Sequence, residues 1–326
     1  MTLARISREI LGMMLIGLFL FLLFFVDFTN VSSLQALIPK KWMNVNTIFL
    51  SIFFEAIPFI LIGVLISAVI QVFVTEDVIK KVLPKHPIVA MFPAAFVGVL
   101  FPMCECVIIP IIRRLIQKGL PLHVGMVILV TAPILNPVVF LSTYYAFRMN
   151  PTIVYARFGL AFLVAICIGG IVYYLYRDKN VLKENSMISE HKHSKRSWQE
   201  VASHAADEFF STGKYLLIGA FLASLFQTFL DRHLLAELAS SNLISPLVMM
   251  ALGYVLSLCS AADAFIAASF GHIFSAKALL AFLVFGPMLD LKNTIMLFAY
   301  FQKKFVFLFM AIVTISVYVI VQLTMK

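Results

Sequence analysis

Two cysteines, a glutamate and two prolines stand together in the segment Phe101-Pro102-Met103-Cys104-Glu105-Cys106-Val107-Ile108-Ile109-Pro110, within otherwise apolar surroundings. Thiolates are soft ligands suited to Zn²⁺, Cu(I) and, by the same logic, trivalent arsenic. Side chains two residues apart point about 200° away from each other on a helix but share a face on extended backbone. Pro102 and Pro110 disfavour a straight helix, so the segment is expected to unwind and aim the Cys104 and Cys106 sulfurs into one cavity, where the pair could also hold a metal. Glu105 would then face away from the sulfurs. As a buried carboxyl it could carry a proton; alternatively it sits in water or pairs with Arg113 or Arg114. Cysteine also packs as a small hydrophobe, which is the reading given to Cys167.

A second segment, Leu258-Cys259-Ser260-Ala261-Ala262-Asp263, offers a third sulfur opposite the first two. Ser260 and Asp263 could cap a half-helix there and face a substrate as well. Asn136 and Asp290 each follow a proline, Pro133 and Pro287, by three residues. Polar side chains after such breaks satisfy freed backbone groups, and Asp290 could pair with Lys292. Glu55 in the second span reads as an interfacial residue. Pro102, Pro110, Pro133 and Pro287 are the candidate hinges.

These residues need a membrane scaffold. The 326-residue chain is 62% hydrophobic and 13% charged, against about 45–50% and about 25% in soluble domains. Its formal charge of +9 sits in short loops between apolar runs, as positive-inside topology requires, and not in a nucleic-acid surface. The 4 cysteines form no secreted-type framework, which argues for reduced thiols. Runs of span length fall at 9–28, 47–74, 120–147, 153–176, 210–230, 276–300 and 304–324. The first has no cleavage site after it and reads as a retained span. Stretches 88–118 and 243–274 suit helical hairpins broken in the middle.

Leu61-Ile62-Gly63 with Gln71 recurs 156 residues later as Leu217-Ile218-Gly219 with Gln227, Cys104 maps near Cys259, and the Pro133–Asn136 motif maps onto Pro287–Asp290. The chain therefore reads as an all-α polytopic membrane protein. Residues 1–46 hold an extra N-terminal transmembrane helix and loop, 47–176 a first repeat, 177–208 a solvated cytoplasmic linker, and 209–326 a second repeat. If 88–118 enters and returns as a hairpin, Lys80, Lys81, Lys85, Arg113, Arg114, Lys118 and the linker share the cytoplasmic side. Each repeat then crosses an odd number of times, so the two are inverted, a common plan of secondary transporters.

The run Cys104-x-Cys106-x-x-x-Pro110, then Arg113-Arg114-Leu115 through Gly119, then Ala132-Pro133-x-x-Asn136-Pro137 resembles the predicted-permease family that includes organoarsenical efflux permeases. The chain is most similar to a bacterial branch described as one subunit of a two-component permease. The resemblance, from about residue 48 to the C-terminus, implies a multi-pass inner-membrane transporter with the cysteine hairpin in its path and a smaller membrane-anchored companion. The family's commoner Cys-Ser-Cys-Gly is replaced here by Cys104-Glu105-Cys106-Val107, which shifts the expected cargo toward a cation.

The expectation is thus a permease, and not an enzyme, with no cofactor, working in the lipid bilayer on a small molecule or ion. Cys104, Glu105, Cys106, Asn136, Cys259, Ser260, Asp263 and Asp290 are its candidate substrate residues, and its concrete form is proton-driven efflux of a soft metal, metalloid or thiol-reactive compound. The alternative is a membrane scaffold subunit that moves nothing; a membrane thiol–disulfide enzyme is a third reading. No phosphate loop or zinc-protease motif is present in the sequence.

Overall fold

A computed structural model describes residues 40–73, 75, 79, 84, 86–100, 105–177, 179, 181–183, 198–229 and 243–325. The apolar run at 9–28, Pro102, Cys104 and most of the polar linker lie outside these residues. Contacts divide the chain into two units, Met1–Asn46 and Thr47–Lys326; of the first, residues 40–46 are described, as the opening turns of a helix.

Apolar segments without access to water must satisfy their own backbone, and every named element among the described residues is a helix. In chain order these are α1 (Lys40–Phe73), α2 (Pro87–Leu100), α3 (Glu105–Gln117), α4 (Leu122–Thr131), α5 (Pro137–Ala146), α6 (Pro151–Tyr176), α7 (Trp198–Phe229), α8 (Ile244–Leu256), α9 (Ala262–Ser269), α10 (Ala276–Met288), α11 (Leu291–Tyr300) and α12 (Lys303–Thr324). Among the described residues, five segments are long and apolar enough to cross a membrane: α1, α6, Val201–Phe229 within α7, Ala276–Tyr300 spanning α10 and α11, and α12. In the apolar window of Ala276–Tyr300, 89% is buried, against 33–39% in the other four, so this segment is the centre of the fold. Its α10 part packs on α8, α9, α12, α6 and α4.

The helices that pair into the two expected hairpins are each too short to span. α2, α3, α8 and α9 have 14, 13, 13 and 8 residues. At about 1.5 Å per residue they fall well short of a hydrocarbon core about 30 Å thick. The run 120–147, expected as one span, is two ten-residue helices, α4 and α5, separated by residues 132–136. Its cause is local: Pro133 and Pro137 remove two amides, and the Asn136 side chain accepts from Val139 N at 3.0 Å to start α5. The break before α11 is built alike, with Asp290 Oδ1 accepting from Asn293 N at 2.7 Å.

The pairing of helices is reciprocal. α3 packs on α11 while α9 packs on α5; α2 and α3 pack on α4 while α8 and α9 pack on α10; α6 packs on α4 and α12 on α10. Glycines permit two of the approaches. A Cβ on Gly63 of α1 would lie 2.0 Å from Val107 Cγ1 of α3, and one on Gly219 of α7 would lie 3.1 Å from Lys292 Cα of α11.

Two expectations change. Pro110 lies inside α3 and Pro287 inside α10, instead of in unwound hinges. Each is near a helix end, where the amide it lacks would have closed only a terminal turn, so the ring is accommodated. Pro133 does lie in a break. The segment 177–208 is not solvated throughout either: Val181 and Leu182 are buried, Leu182 bridges to Phe301, α7 already begins at Trp198, and Glu208 is a core residue.

Candidate functional site

A cavity of about 320 Å³ forms where the helix breaks meet. α1 contributes Ile52, Glu55, Ala56 and Phe59; α3 contributes Cys106; the start of α5 contributes Asn136, Val138 and Val139; the break between α8 and α9 contributes residues 257–261; and α11 contributes Lys292. Its size is within the ordinary range for small-molecule sites, about 300–1,000 Å³.

The non-helical wall at 257–261 is held by specific bonds. Ser257 ends α8 with φ 47°, a left-handed conformation, and its hydroxyl accepts from Leu291 N at 3.1 Å and Lys292 N at 3.4 Å. That hydroxyl thereby meets two of the orphan amides that open α11. The Ser260 carbonyl accepts a 3.0 Å hydrogen bond from Arg157 Nη2, and Arg157 Nη1 donates to Thr143 Oγ1 at 2.8 Å. Arg157 is fully buried, with Asp263 as its electrostatic counterpart. Ser260 and Asp263 do not cap α9: its N-cap is Ala261 and carries no side-chain bond. Asp263 is buried, lies against Gly286 and feels the positive charges of Arg157 and Lys292.

Charge at the cavity is organised around Lys292. Its Nζ is 3.5 Å from Glu105 Oε1 and 3.5 Å from Asp290 Oδ2, with all three side chains buried. Glu105 is therefore buried beside an ammonium and is not a carboxylate in water. Arg114 pairs with Glu208 at 3.4 Å. Glu55, midway along α1, lines the cavity and interacts with the Cys259 thiol. An ionisable group at that depth of a span marks function by default.

Of the expected residues, Cys106, Asn136, Cys259 and Ser260 line the cavity, and Glu105 and Asp290 lie behind Lys292. Asp263 lines no part of the cavity among the described residues, and Cys104 and Pro102 are outside them. Cys106 starts a helix, so the extended Cys-x-Cys geometry is not seen from Glu105 onward. Among the described residues no group of three or more His, Cys, Asp or Glu could hold a metal ion. Sequence reasoning missed Glu55 as a site residue, along with Ser257, Lys292 as a wall and Arg157. A charged residue inside an apolar run is the signal that would have found Glu55 and Arg157.

Asn136 is also shared with a second groove, of about 650 Å³, walled by Phe96, Phe140, Leu141, Phe158 and Phe162.

The family described as a predicted permease matches residues 41–325. The UPF0718 protein YcgR of Bacillus subtilis (strain 168) is 48% identical over 281 residues, covering 85% of this chain and 96% of the relative. A Streptococcus mutans protein named "Putative two-component membrane permease complex subunit" is 38% identical over 278 residues, covering 83% and 92%. No solved structure matches the chain.

Proposed function

The chain belongs to the predicted-permease family, and on that premise we propose a secondary transporter that exports a thiol-reactive small molecule or soft metalloid across the bacterial inner membrane in exchange for protons. The observation that carries this reading is Cys106 of α3 and Cys259 of the α8–α9 break on the wall of one cavity. Two soft donors, one from a helix and one from a helix break, suit a cargo that thiols recognise. Glu55 and Lys292 offer the charge that cargo or proton meets, and Asn136 and Ser260 the polar rim. Cys104, two residues before Cys106, belongs to the same proposal. Glu105, Asp263 and Asp290 hold the walls through Lys292 and Arg157.

Two inverted repeats, at 47–176 and 209–326, frame this site. The sequence offsets, the matching caps Asn136 and Asp290, and the reciprocal pairing of α3 with α11 and α9 with α5 support that plan. The remainder of the division is an added N-terminal helix within 1–46 and a cytoplasmic connector over 177–208. The name of the Streptococcus relative supports a companion subunit. A scaffold without transport draws on the same name, but it gives no reason for a carboxylate, an ammonium and two thiols around one intramembrane cavity.

The test is growth of a deletion strain on a panel of metals, arsenicals and thiol-reactive antimicrobials, complemented by wild type or by Cys106→Ser with Cys259→Ser at matched expression. Resistance restored by wild type alone supports the reading. Equal growth of all strains on every toxicant rejects it.

A further inference from the structure

A buried polar cluster lies outside the cavity, at the other end of α3. Arg114 Nη2 is 3.4 Å from Glu208 Oε2 on α7, and the same oxygen accepts a 2.7 Å hydrogen bond from Ser67 Oγ on α1. Beside it the Arg113 guanidinium stands 4.7 Å from the centre of the Tyr300 ring on α11. The Tyr300 hydroxyl and Thr212 Oγ1 on α7 share a 2.8 Å hydrogen bond. All six side chains are buried.

Stability alone is a poor reason for this cluster. Desolvating a guanidinium and a carboxylate offsets most of their attraction, and the best-attested use of buried ion pairs is to fix a register or a switch. The register here is unusual. α3 meets α11 twice, through Glu105–Lys292 at the cavity end and Arg113–Tyr300 at the far end. The two helices therefore run parallel and in step. Eight residues separate the contacts, about 12 Å along the axis. α3 is a short rod with the cavity at one end and the cluster at the other.

Resting on the transport reading above, we infer that the Arg114–Glu208 and Tyr300–Thr212 contacts, which tie α3 and α11 to α7, are the closed gate on the side that the C-terminal end of α3 faces, the cytoplasmic side by loop charge. Alternating access requires the cavity to open to one side at a time. Parting α3 and α11 from α1 and α7 at the cluster would open a path from that side to Cys106. Water entering the parted cluster would then weaken the charge pair that closes it. Arg113, Arg114, Glu208 and Tyr300 are positioning residues in this scheme, since none of them lines the cavity.

The experiment uses the full chain with Cys106 as its single cysteine, labelled by a membrane-impermeant maleimide in inverted and in right-side-out vesicles. Two variants loosen the cluster unequally: Glu208→Gln removes a charge, and Tyr300→Phe removes only the hydroxyl while keeping the ring beside Arg113. The gate predicts faster labelling from inverted vesicles alone, by about two- to tenfold for Tyr300→Phe, the shift one lost hydrogen bond gives, and by more for Glu208→Gln. Rates unchanged in both variants would overturn it. So would an equal rise from both sides, which reports general loosening. Labelling needs no cargo, so a failed toxicant panel and a failed gate are distinguishable.

Discussion

Lys292 at the start of α11 lies 3.5 Å from Glu105 at the start of α3, a residue 187 positions away in the chain, and 3.5 Å from Asp290 in its own helix cap. One ammonium thus serves two buried carboxylates. The charge that Glu105 adds between the family's two cysteines is met inside the protein, so it argues less directly for a cationic cargo than the sequence suggests.

Unequal losses follow from that arrangement. Removing one partner of a buried pair costs about 3–5 kcal/mol. Lys292→Met takes the shared ammonium from two carboxylates, whereas Glu105→Gln leaves Lys292 with Asp290, so the first variant should lose more thermal stability in detergent. Adding Glu105→Gln to Lys292→Met should recover part of the loss. Equal melting temperatures for the two single variants would contradict the bridging role.

Arg157 holds a wall of the cavity from behind. Arg157→Met leaves the Ser260 carbonyl without its donor and removes one of the positive charges acting on the buried Asp263, so it should destabilise by about 1–3 kcal/mol. Asp263→Asn in the same chain should restore part of that, because the buried charge disappears. Melting curves of the two variants decide the matter: a double variant no more stable than Arg157→Met would remove Asp263 as the partner.

Gly63 tests how α1 seats against the helix that carries Cys106. A methyl group there would sit 2.0 Å from Val107 Cγ1, an overlap that must be relieved by movement. Overpacking of this kind costs about 1–3 kcal/mol. Gly63→Ala should lower the melting temperature, and Val107→Ala in the same chain should bring it back. A neutral Gly63→Ala would show that the two helices are not held so closely.

The two caps should behave alike. Asn136→Ala and Asp290→Ala each remove an acceptor from a helix N-terminus, a loss of about 0.5–2 kcal/mol. Asn136→Asp keeps the acceptor and should retain most of the stability. If Asn136→Ala melts with wild type, the capping account of the α4–α5 break fails.

Five of the seven expected spans were legible in the sequence because apolar length is a direct requirement of the bilayer; 120–147 is broken instead, and 9–28 lies outside the described residues. The breaks at Asn136 and Asp290 were legible too, since proline and a capping side chain leave a local trace. Pro110 misled: its lost hydrogen bond falls in the first turns of α3, where a helix tolerates it. The ion pairs could not be read. Glu105 and Lys292, or Arg114 and Glu208, are brought together by the packing of distant helices, and Glu208 looked like part of a polar linker. Cys106 and Cys259 were each legible as candidates; their common cavity is a property of the fold.

That shared cavity is the central claim, and transport through it can be measured directly. Uptake of a labelled thiol-reactive compound, chosen from the toxicants that inhibit the deletion strain, is followed in inverted vesicles under an imposed proton gradient. The account predicts accumulation by wild type, and loss of that accumulation in Cys106→Ser with Cys259→Ser at equal protein level. Accumulation that persists undiminished in the double variant would contradict it.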